Sequence, residues 1–285
     1  MRSNQAELWA PNGTPIVQVF ACVGEVESKR WIGEWPVTLD RSPELRCSIQ
    51  GMTKQRYPAA FDQFLSPTEF IDSDHTDVRD HTNDLVRGVS GDIDRSLALF
   101  YPIRDDIRYS PYGIEAKHEV MMASHTLREK QGFCIQKAVL LAAAARVAGI
   151  PSRLGFADVR NHLATKRLLE LLETDLFIFH GFTELYLEGK WVKATPAFNI
   201  ELCDKFGVLP LDFDGRNDSV FQPYDRAGRK HMEYIRDRGW YADLPFDEMF
   251  AAFAATYPRW PDGGRGSEGD FYAEAEAEHT ATSGT

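Results

Sequence analysis

The run Gly132-Phe133-Cys134-Ile135-Gln136-Lys137-Ala138-Val139-Leu140-Leu141-Ala142-Ala143-Ala144-Ala145-Arg146-Val147-Ala148-Gly149-Ile150-Pro151 decides the fold. From Cys134 to Ala148 it is almost unbroken in apolar residues, and Gly149 and Pro151 stand where a helix stops. A helix apolar on every side belongs at the centre of a domain, so the remaining chain must wrap around it. Cys134 opens this helix, where unpaired N–H groups and the positive end of the dipole favour thiolate over thiol. Gly132 lets the backbone come close to a bound molecule. Taken alone, Cys134 fits a second description equally, a small, buried and inert core residue.

Outward from the helix the pattern changes to strands. A long strand is expected over 176–187, a two-residue turn at Glu188-Gly189, and a return strand over 190–194. That turn sets Leu187 against Lys190, Tyr186 against Trp191, Glu184 against Lys193 and Phe182 against Thr195. Alternation puts His180 on one face with Phe182, Glu184 and Tyr186, and Thr195 joins it one pair away on the diagonal. An imidazole so placed can be oriented by a group at the end of the neighbouring strand, the nucleophile–base–orienter arrangement. A core histidine satisfied by a backbone carbonyl is the other description. A short strand over 153–157 precedes the hairpin. Between them a helix over 163–173, capped by Asn161, is either a core element or a lid over the cleft.

Together these residues carry a resemblance. Gly132-Phe133-Cys134, the apolar helix and Ala148-Gly149-Ile150-Pro151-Ser152-Arg153 resemble the nucleophile segment of the transglutaminase-like superfamily of papain-type thiol enzymes. The block from His180 through Glu184 and Tyr186 to Gly189, Trp191 and Val192 resembles its histidine hairpin, and Ile107-Arg108-Tyr109 is similar to the motif ending the preceding helix. The resemblance implies an α+β, papain-like core, with a nucleophile-bearing helix packed on an antiparallel sheet. It implies acyl transfer or hydrolysis at an amide, peptide or isopeptide bond, with Cys134 as nucleophile and His180 as base. Thr195 stands where the family has an aspartate, so the third member departs from the pattern. Asn199 is the alternative orienter, with Glu184 and Asp175 also within consideration. A transglutaminase-like binding module that has lost turnover is the competing reading. Nothing in the sequence requires a cofactor or a metal. Hydrolysis is preferred over cross-linking because no calcium-binding loop is recognisable and water is always available.

Helices are also expected over 74–87, 92–107, 226–238 and 246–257, the second kinked at Pro102. Residues 1–60 are poorly patterned, broken by Pro and Gly, with Met52 as an alternative start. Residues 61–260 form the transglutaminase-like domain, and 261–285 read as a disordered acidic tail. The formal charge of −11 argues against nucleic acid as a partner. No run reaches the roughly 18 apolar residues of a membrane span. The expectation is a cytoplasmic protein acting on a peptide or amide substrate.

Overall fold

The computed structural model describes residues 57–162, 164–221, 224–259 and 269–283. Nearly all of the N-terminal extension therefore lies outside the described residues. After a short 3₁₀ segment (Ala59–Phe64), the elements are α1 (Thr76–Leu85), α2 (Asp92–Asp106), β1 (Arg108–Tyr109), α3 (His118–Met121) and α4 (Ala123–Glu129). There follow β2 (Gln131–Gly132), α5 (Cys134–Val147), β3 (Ser152–Asn161), α6 (Lys166–Leu172), β4 (Leu176–Leu187) and β5 (Lys190–Ala194). The last are α7 (Ile200–Phe206), β6 (Met232–Tyr241), α8 (Phe246–Thr256) and α9 (Phe271–Ser283).

Helix α5 is buried from Cys134 to Arg146, as its composition requires. Its two cations are neutralised by main-chain oxygens. Lys137 Nζ donates to the carbonyls of Arg104 and Ile107 at 2.8 and 2.6 Å, and Arg146 donates to those of Ser66, Ser152 and Ala242. The helix ends in paired bonds from Gly149 N–H to Arg146 and from Ile150 N–H to Ala145, with Gly149 at φ 76°, the left-handed turn that glycine makes without strain.

Against α5 lies a four-stranded antiparallel sheet in the order β5-β4-β3-β6. The β4–β5 register is Leu187 to Lys190, Tyr186 to Trp191 and Glu184 to Lys193, as the turn predicts, and the ladder ends with Thr183 opposite Ala194. Strand β4 is pinned to α5 twice. Thr183 Oγ1 donates to the Ala138 carbonyl at 2.8 Å, and a side chain on Gly181 would stand 3.0 Å from Ile135 Cα. A separate two-residue parallel pairing sets Tyr109 beside Gly132, just ahead of Cys134.

Three expectations are corrected. The stretch 226–238 is not a helix, because residues from Met232 onward pair along the free edge of β3. Its charged side chains suit an edge strand as well as a helix face, since charge keeps an edge from pairing further. Strand β3 runs on to Asn161, and the cap of α6 is Thr165, whose Oγ1 accepts the Leu168 N–H. Within the tail, residues 271–283 form α9. Its alternating Ala and Glu favour helix, and Phe271, Tyr272 and Ala275 bury against the domain.

Candidate active site

Cys134 occupies the first turn of α5, where Gln136 Oε1 accepts the Phe133 N–H at 3.2 Å and fixes the chain's entry into the helix. Main-chain groups of Gly181, Ile135 and Cys134 itself act to lower the thiol's value. Such groups favour a thiolate, yet the thiol is pushed up to about 11, because burial outweighs them.

His180 lies just after a β-bulge. Ile178 and Phe179 together oppose the single residue Asp158, and Phe179 takes φ 54°. Asp158 holds that turn: its Oδ1 accepts the Phe179 N–H at 3.1 Å and the Arg238 Nε–H at 2.5 Å, while the Arg238 guanidinium sits 4.1 Å over the Phe179 ring. The bulge re-aims β4 immediately before His180. Burial lowers His180 to about 4.

Both residues line one cavity of about 60 Å³. Its remaining wall is almost wholly apolar. Ile114, Phe177 and Phe253 contribute, as do Leu168 and Leu172 of α6. Helix α6 is in turn tied to α9: Thr165 Oγ1 meets Glu274 at 3.1 Å, and the Lys166 N–H donates to Glu278 at 2.8 Å.

Thr195 is buried, and with His180 it lines a second, smaller cavity that Cys134 does not reach. Asn199 is not available to orient His180. Its Oδ1 accepts the Tyr109 N–H and the Tyr272 hydroxyl at 2.8 and 2.9 Å, and its Nδ2 donates to the Asp105 and Ile107 carbonyls. Those carbonyls end α2, so Asn199 works as a helix C-cap alongside Lys137. Glu184 pairs with Arg153 rather than with Lys193, which faces Asp237, and Asp175 pairs with Arg160. Sequence reasoning missed His231, buried in the wall of the smaller cavity, and the Asp158–Arg238 pair. A signal for β6, which carries Arg238 and begins just after His231, existed in the aromatic and branched residues Tyr234, Ile235, Trp240 and Tyr241.

The family model of the Transglutaminase-like superfamily matches residues 79–196, a span that contains Cys134, His180 and Thr195. No protein of curated function matches the chain. Among solved structures, a provisionally assigned cysteine protease from Cytophaga hutchinsonii is 17% identical over 65% of this chain and 55% of its own, with a TM-score of 0.39. A provisionally assigned protease from Parabacteroides distasonis is 16% identical over 51% of this chain and 28% of its own, with a TM-score of 0.34. This chain thus spans about half the length of the first and less of the second. Over residues 79–196 the chain is thus similar to the Transglutaminase-like superfamily.

Proposed function

We propose that this protein, with its transglutaminase-like segment over residues 79–196, cleaves or transfers an amide, peptide or isopeptide acyl group through a thioester on Cys134. The observation that carries the reading is the cavity that Cys134 and His180 share. His180 acts as general base during attack. The Sγ–H proton passes to the imidazole as the S–C bond forms, and the same proton passes to the leaving nitrogen as the C–N bond breaks. Water, or an amine, then attacks the thioester with His180 taking its proton, and the C–S bond breaks as that proton returns to the Cys134 sulfur. The Cys134 and Gly181 N–H groups are candidate donors to the oxyanion. The apolar wall favours substrates with an aliphatic or aromatic side chain next to the reacting carbonyl.

A second reading, a module that binds such a segment without turnover, is favoured by one observation: among the described residues no carboxylate meets the buried Nδ1 of His180. Mixing the protein with apolar acyl p-nitrophenyl esters and mapping the adduct by mass spectrometry separates the two. The enzyme reading expects one acyl group on Cys134 that disappears with time, and loss of the adduct in Cys134→Ala. Adducts spread evenly over Cys134 and Cys203 would sink it.

A further inference from the structure

The smaller cavity, about 10 Å³, is walled by His180, Thr195, Phe198, Phe221, His231 and Met232 among others. Three of these residues each bury a polar atom that has no partner among the described residues: Nδ1 of His180, Oγ1 of Thr195 and Nδ1 of His231. Leaving such an atom unsatisfied costs about 1–3 kcal/mol, and three in the residues lining one void is a concentration that folded proteins avoid. A void of about 10–15 Å³ is the smallest that holds a water molecule, and a buried water makes about three hydrogen bonds. The number of orphaned atoms and the size of the void therefore agree. Both remote partners are held by other contacts. Thr195 is anchored by its N–H to the Ser219 carbonyl at 2.9 Å, and the His231 carbonyl accepts the His162 N–H at 2.8 Å while its ring stacks on Phe198.

We propose that His231 is a positioning residue for His180, acting through one water held in this cavity with the help of Thr195. The inference rests on His180 being the base. The water oxygen accepts the Nδ1–H of His180, and its two hydrogens go to Thr195 Oγ1 and to the Nδ1 lone pair of His231. His180 then keeps one tautomer, with its Nε2 lone pair left to take the thiol proton. When that proton arrives, the imidazolium charge falls partly on Nδ1–H, which the polarised water stabilises in place of a carboxylate. The arrangement explains how Thr195, too weak to replace an aspartate alone, can stand at the family's acid position.

The test uses the full chain with ¹⁵N-histidine labelling and long-range imidazole correlation spectra at neutral pH, which report the His180 tautomer whether or not the protein turns anything over. Wild type is expected to show a single Nδ1–H tautomer. His231→Leu should convert it to a mixture and slow Cys134 acylation by a p-nitrophenyl ester about tenfold. His231→Asn, which keeps an acceptor near the position of Nδ1, should restore most of both. Thr195→Val, close in shape, serves as a second probe, and its effect should not add to that of His231→Leu. A His180 tautomer unchanged in a folded His231→Leu or Thr195→Val would overturn the proposal. If wild type shows the single tautomer yet Cys134 is never acylated, the positioning stands and the enzymatic reading falls.

Discussion

Two cysteines of this protein are equally hidden and differ in nearly everything else. Cys134 and Cys203 are both buried, and burial pushes their thiols up to about 11 and about 12. Cys203 sits inside α7, with the Phe198 carbonyl 3.9 Å from its sulfur. Cys134 begins a helix and lines a cavity that His180 also lines. Depth and a raised pKa are thus common to both thiols. Position relative to a histidine and to open volume is what separates them.

The sharpest way to break the comparison is to remove each sulfur in turn. Cys134→Ala is expected to lower acyl turnover by about 10³-fold or more, and Cys203→Ala to change it less than about threefold. Equal losses, measured as initial rates on one ester, would erase the distinction.

The histidine beside Cys134 supplies the next contrast. Its folded-state value near 4 lies below the ordinary 6.5. The unfolded chain therefore binds a proton that the folded protein refuses between about pH 6.5 and 4. Stability is complete above that window and falls as pH drops through it. From pH 7 to 5 the loss from this one group is roughly 2 kcal/mol. In urea titrations the drop over that range should be smaller by about that amount in His180→Phe, and unchanged in Cys203→Ala.

The smallest effect concerns Gly181. Gly181→Ala puts a methyl 3.0 Å from the Ile135 backbone, so strand and helix must move apart by a few tenths of an ångström. That shift draws the Gly181 main chain away from Cys134 and leaves Cys203 untouched. Cys134 acylation is expected to slow about tenfold, with alkylation of Cys203 in urea-free buffer at its wild-type rate.

The sequence reading succeeded where the cause is local. An apolar run closed by Gly149 and Pro151 can only be a buried helix, and a two-residue turn at Glu188-Gly189 fixes a register by counting. It failed where the cause is distant. Asn199 looked free to orient His180, but the unfilled carbonyls of α2 and the hydroxyl of Tyr272 claim all of its capacity. The bulge at Phe179 depends on Asp158 and Arg238 from two other strands.

The Asn199 network also bears on how the chain folds. Tyr109 N–H, one step from α5 through the β1–β2 pairing, shares its acceptor with Tyr272, 163 residues further along. Ordering of that joint requires closure of a very long loop, the kind of contact that slows folding and forms late. On a ribosome the helix bearing Cys134 is made well before its last brace emerges. The nascent chain therefore carries its thiol for many seconds before the loop ahead of it is fastened, and the fully fastened site is among the last features to mature.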